Sequence, residues 1–141
     1  GLFCMDSFDY GGLKQFIEGK NMHLGDIEAM KIRKGRFEVT TAAGKESFDL
    51  QELDNCRSSS CKYCTDMASE NTDISFGGVG TPDGYTSVLT RSSMGYEIFN
   101  EAADCGYIDA RVIEDGEMQR ILNLAKMKKV QMYAFHRRQQ G

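Results

Sequence analysis

Cys56, Cys61 and Cys64 form a C-x4-C-x2-C run, three thiols within nine residues. The x2 spacing lets two thiolates on one turn converge on a single metal ion or cluster edge without strain. A fourth ligand must then come from elsewhere, and Cys4 and Cys105 are the candidates. Structural zinc takes four thiolates, or three and a histidine, usually from two paired knuckles. Only one C-x2-C pair is present here. A [2Fe-2S] centre of the plant-ferredoxin type uses C-x4-C-x2-C with one distant cysteine, and a [4Fe-4S] centre takes four thiolates from the same set. The spacing thus favours iron-sulfur chemistry while leaving zinc, and catalytic or structural thiols, as alternatives. Cys105 follows an apolar helical stripe and is expected in the core, where unligated cysteine is common. Cys4, between Phe3 and Met5, suits a core position and a ligand equally on local grounds.

The rest of the composition is compatible with such a site. At 141 residues the chain buries a core without needing cysteine cross-links, and five cysteines is an odd number for a fully paired framework. A reducing compartment is expected, and the assignment is cytoplasmic. With 27% charged residues, a formal charge of -4 and no basic stripe interleaved with aromatics, nucleic acid is not an expected partner. No apolar run approaches the roughly 18 residues of a membrane-spanning helix, and the start lacks an apolar signal-peptide core. The chain opens GLFCMDSF without an initiator methionine and is read as one domain over residues 1–141, part of something longer.

The elements that must hold the cysteines follow from periodicity. Leu13, Phe16 and Ile17 fall on one helical face, with Gly19 as the stop. Met30 and Ile32, a Lys34-Gly35 turn, then Phe37 and Val39 alternate as antiparallel strands. A turn at Ala43-Gly44-Lys45 leads to Phe48 and Leu50. Beyond the cysteines and a glycine-rich loop, Thr86–Arg91 has the β-branched, apolar character of a buried strand. Met94–Cys105 forms a helix with Ile98, Phe99, Ala102 and Ala103 as its stripe and Gly106 as its C-terminal glycine. Tyr107–Ile113 is a further expected strand. A long helix runs from Glu117 to about Arg137, burying Met118, Ile121, Leu122, Leu124, Ala125 and Met132. The fold class is α+β, with a mixed or antiparallel sheet flanked by helices.

Five pieces in order carry a resemblance: GLFC at Gly1–Cys4, C-x4-C-x2-C-T-D through Asp66, TDIS at Thr72–Ser75, GGVG at Gly77–Gly80, and GYTSVLTR at Gly84–Arg91. Together they resemble the C-terminal domain of the coenzyme F420 hydrogenase and dehydrogenase beta-subunit family. The resemblance implies an iron-sulfur and flavin domain, the C-terminal part of an oxidoreductase subunit. Its cofactors would be one [4Fe-4S] cluster and FAD, and its substrate coenzyme F420. It also makes Cys4 the fourth ligand beside Cys56, Cys61 and Cys64. No ferredoxin-like cysteine run follows residue 105, which points to the subunit that serves a [NiFe] hydrogenase rather than formate dehydrogenase. The implied partners are the hydrogenase large and small subunits, or another redox module, in a hetero-oligomer. Family members carry another domain before the GLFC segment, and the flavin pocket is expected to need both halves. Thr72 stands where the family has alanine.

In that setting F420 accepts a hydride, a cluster moves one electron at a time, and a flavin converts between the two. Ser75, Gly77, Gly78 and Gly80 are candidates for flavin or pyrophosphate contacts, because glycine lets main-chain N–H groups approach phosphate. The loop matches neither GxGxxG nor a P-loop, so on local grounds it reads more simply as a tight turn between strands. Arg91 is a candidate partner for a phosphate or carboxylate, with a salt-bridged or solvated arginine as the plainer alternative. Lys31, Arg33, Lys34 and Arg36 would attract the anionic tail of F420, or else form the solvated face of a hairpin. Asp66 and Asp73 would tune the cluster or bind a cofactor hydroxyl, or cap local turns. His23 and His136 suggest no catalytic role, and the methionines are core filler.

Overall fold

In the computed structural model, which describes residues 1–139 apart from the side chains of residues 135, 136, 138 and 139, α1 spans Tyr10–Gly19. Asp9 starts it by accepting the Gly12 N–H at 2.8 Å, one of the donors a helix leaves unpaired at its N-terminus. The chain divides into two compact units, one of Asp6–Cys61 and one of Gly1–Met5 with the chain from Lys62 onward.

In the first, β1 (Ile27–Arg33), β2 (Arg36–Thr41) and β3 (Gly44–Asp49) make an antiparallel meander in that order. Lys34 and Gly35 take φ of 50° and 74°, the left-handed pair that matches a two-residue hairpin to the twist of its strands. Phe37 and Val39 point to one face, where α1 delivers Ile17 and a 3₁₀ turn at Leu50–Cys56 delivers Leu53. That turn starts with a reciprocal capping box, Asp49 accepting from Gln51 N and Glu52 reaching back to Asp49 N. Ile17, Val39 and Leu53 are fully buried, at about 1.5–3 kcal/mol for each side chain removed from water.

In the second unit, Gly1–Phe3 lies along β4 (Ile74–Gly77). Phe3 N–H donates to the Phe76 carbonyl at 2.7 Å, and Phe76 N–H to the Gly1 carbonyl at 3.0 Å. β4 pairs antiparallel with β5 (Ser87–Thr90). α2 (Ser93–Asp104) is capped by Ser92, whose hydroxyl accepts from Gly95 N and donates to the Asp73 carboxylate. α3 (Asp115–Gln139) sends Ile121 into a core with Met67 and Ala68. Among the described residues no helix is long and apolar enough to cross a membrane.

The class is α+β with antiparallel strands and helices, though the strands fall into two sheets of three and two rather than one. Three expectations are corrected. Tyr107–Ile113 is not a strand: a strand needs a neighbour to pair with, and this segment is mostly exposed and tied down by Arg111 instead. Cys105 is exposed rather than core, because α2 ends at Asp104 and Gly106, at φ 74°, turns the chain outward. Leu122 is 53% exposed, since the buried face of α3 runs through Ile121, Ala125 and Lys128 and leaves it to one side. The His136 side chain lies outside the described residues.

Candidate functional site

Cys56 ends the capped 3₁₀ turn, and its main chain is fixed against the start of α1. Asp9 N–H donates to the Cys56 carbonyl at 2.7 Å. A Cβ at Gly12 would stand 3.2 Å from Cys56 Cα, so glycine there permits the close approach. Burial, helped by the Asp9 carboxylate, holds the Cys56 thiol above the usual thiol range. Binding a metal at this position must therefore displace a proton.

Cys61 lies in a second 3₁₀ turn, Ser59–Lys62. Ser7 N–H donates to its Sγ at 3.1 Å, while Ser58 N–H donates to the Ser7 carbonyl at 2.9 Å. An N–H aimed at sulfur is the kind of outer contact that orients a metal-binding cysteine. Arg57, paired with Asp6 and Asp54, braces the intervening chain.

Cys64 is half-buried, with its thiol directed to the Asp66 carbonyl at 3.4 Å. The Asp66 carboxylate accepts the Glu70 N–H at 3.0 Å. Cys4 is exposed; its N–H donates to the Met67 carbonyl at 2.7 Å, and its own carbonyl accepts Lys128 Nζ at 2.6 Å. Cys4 and Cys64 thus belong to one unit, Cys56 and Cys61 to the other. Among the described residues no three histidine, cysteine or acidic side chains gather as around a metal ion. The donor chemistry nevertheless suits a thiolate-ligated metal centre: Cys4, Cys56, Cys61 and Cys64 form no disulfide, and each has its main chain or its sulfur held by hydrogen bonds.

The glycine loop is partly spoken for. A Cβ at Gly77 would fall 2.0 Å from Phe3 Cδ2, and one at Gly80, at φ 98°, would fall 2.8 Å from the Glu117 carbonyl. Those two glycines let Phe3 and the first turn of α3 pack onto the loop. Gly78 has open space where a Cβ would be. Ser75 is fully buried, and its hydroxyl accepts Arg91 Nη1 at 2.8 Å; Arg91 Nη2 donates to the Ala68 carbonyl at 3.0 Å. The Ser75 hydroxyl thus braces Arg91, which is exposed.

Several of the remaining charged candidates have local partners. Asp66 and Asp73 cap the turn at Glu70 and hold the α2 cap. Lys31, Arg33, Lys34 and Arg36 are exposed on the β1–β2 hairpin. Arg36 donates to Ser47, and Lys31 and Arg33 help Lys45 hold the Glu38 carboxyl below its usual range. That is the arrangement of a solvated hairpin face. Sequence reasoning missed Lys128. Its signal was a lysine at a buried position of the 118, 121, 125, 128, 132 stripe.

Comparison with known proteins gives this arrangement a family context. The family model for the C terminus of the coenzyme F420 hydrogenase/dehydrogenase beta subunit matches residues 1–116. The chain is 37% identical over 118 residues to the coenzyme F420 hydrogenase subunit beta of Methanothermobacter thermautotrophicus, covering 82% of this chain and 41% of that protein. It is 35% identical over 129 residues to the coenzyme F420-dependent sulfite reductase of Methanocaldococcus jannaschii, covering 92% of this chain and 20% of that one. A chain of the F420-reducing [NiFe] hydrogenase complex from Methanosarcina barkeri superposes with a TM-score of 0.83 at 34% identity, over 95% of this chain and 47% of that chain. The chain thus spans less than half the length of each of these three proteins.

Proposed function

Because the chain belongs to the coenzyme F420 hydrogenase/dehydrogenase beta-subunit family, we propose that it is the iron-sulfur and flavin segment of a cytoplasmic F420-dependent oxidoreductase subunit. The observation that carries this is the match over residues 1–116, which spans Cys4, Cys56, Cys61, Cys64 and the glycine loop. In this reading Cys4, Cys56, Cys61 and Cys64 hold a [4Fe-4S] cluster, and Ser7 N–H steadies the Cys61 thiolate. Bound FAD would supply the two-electron chemistry, in which two electrons taken singly from the cluster and one proton together make up the hydride that F420 accepts. Arg91, braced by Ser75 and Ala68, presents its guanidinium to the flavin's phosphates. The main chain at Gly77, Gly78 and Gly80 lines the same site, with Gly78 the residue that leaves room. The partners are the large and small subunits of a [NiFe] hydrogenase in a hetero-oligomer. A second reading, that the chain serves an F420-dependent reductase of another substrate, draws on the similarity to the sulfite reductase.

Assays on the protein, purified anaerobically with the subunits that accompany it, test both. Reduction of F420 under hydrogen supports the hydrogenase role, and oxidation of reduced F420 by sulfite supports the second. After removal of the flavin, activity should return on adding FAD, and Arg91→Met should raise the FAD concentration needed about tenfold, the loss of one charged contact. Failure of F420 to react in either assay, or indifference to FAD, contradicts the proposal.

A further inference from the structure

Lys128 is 4% exposed on the inward stripe of α3, where Ile121 and Ala125 precede it. Its Nζ donates to the Cys4 carbonyl at 2.6 Å. No carboxylate pairs with it among the described residues, whereas its neighbour Lys129 reaches Glu70 at 2.7 Å. A buried ammonium carries three donors and a full charge, and one carbonyl satisfies one donor and none of the charge. Leucine or methionine would fill the same stripe at no such cost, so a charge retained there needs an anion. Four thiolates around an iron-sulfur core carry net negative charge, and the main chain that Lys128 grips is that of a proposed ligand.

We propose that Lys128 is a positioning residue for the cluster, holding the main chain of Cys4 and supplying the cluster's counter-charge. This rests on the cluster assignment of the preceding subsection. A fixed positive charge favours the form with one more electron, so it raises the reduction potential; the step is a one-electron gain with no proton. The plain alternative is that Lys128 only pegs the N-terminal segment to α3.

The test compares the wild type with Lys128→Gln, which keeps a donor but no charge, and Lys128→Arg, which keeps both. Iron content, the midpoint from a redox titration followed by electron paramagnetic resonance, and thermal unfolding are measured on the anaerobically purified protein. We expect Lys128→Gln to lower the midpoint by about 59 mV, a tenfold loss in the reduction equilibrium, and Lys128→Arg to stay near the wild type. Loss of iron from Lys128→Gln alone supports the same conclusion. Equal midpoints in all three proteins overturn the role of Lys128 and leave the cluster standing. Iron loss in both variants with lowered unfolding temperatures overturns it in favour of the peg. A wild type without iron defeats the cluster assignment itself.

Discussion

Glu117, in the first turn of α3, is 3% exposed, and its carboxylate takes Arg111 Nη1 and Nη2 at 2.8 and 2.6 Å together with the Glu114 N–H at 2.9 Å. The Arg111 hydrogen bonds, then that N–H, push its pKa down to about 2. The carboxylate form is thus favoured by folding. Its contribution is complete above the ordinary carboxyl value near 4.5 and is lost as the pH falls from there towards 2. Thermal unfolding followed against pH should show wild type and Glu117→Gln separated by a constant gap above about pH 5, closing below it. A gap that persists to pH 2 would exclude this role. The pair anchors the segment before α3, and Arg111 also lies over the Tyr85 ring at 5.6 Å. None of this was legible in the sequence, where Arg111 and Glu117 are two ordinary charges among many. Spacing, by contrast, singles out Cys56, Cys61 and Cys64 as candidate ligands. The assignment of Cys105 to the core failed because adjacency to an apolar stripe does not place a residue on it: Cys105 is the exposed C-cap of α2.

At the scale of elements, the meander and the three helices were readable because each carries its own period and punctuation. The Lys34-Gly35 turn and the Phe37/Val39 alternation are local facts that survive in the fold. The failed strand at Tyr107–Ile113 shows the opposite case, since pairing depends on a neighbour that local sequence does not name. The glycine loop is a third case. Its glycines were candidates for flavin contacts, with a tight turn as the plainer reading, and in the fold Gly77 lies under Phe3 and Gly80 under α3. Gly77→Ala should therefore destabilise the protein by about 1–3 kcal/mol through overpacking. Because the clash is with the Phe3 ring, Phe3→Ala/Gly77→Ala should be less destabilised than the sum of the single variants. Strict additivity in denaturant titrations would show that the ring is not what the glycine accommodates.

For the whole molecule, composition pointed to a folded protein and the order of elements to the α+β class, and a core in each unit agrees with the first. What composition did not reveal is the division itself, which assigns Cys4 and Cys64 to one unit and Cys56 and Cys61 to the other. It arises because Gly1–Met5 pairs with β4 and with Met67, a long-range contact that no local pattern encodes. The family match spans residues 1–116 and so includes all of these cysteines. In the proposed reading these four thiols hold one iron-sulfur cluster. The most direct measurement is iron and acid-labile sulfide per chain, with the visible spectrum, in the anaerobically purified protein and its serine variants. About four of each are expected in the wild type and in Cys105→Ser, and loss of both with bleaching in Cys4→Ser and Cys61→Ser. A colourless protein containing only zinc, or a Cys4→Ser variant that keeps its full iron and sulfide, would contradict it.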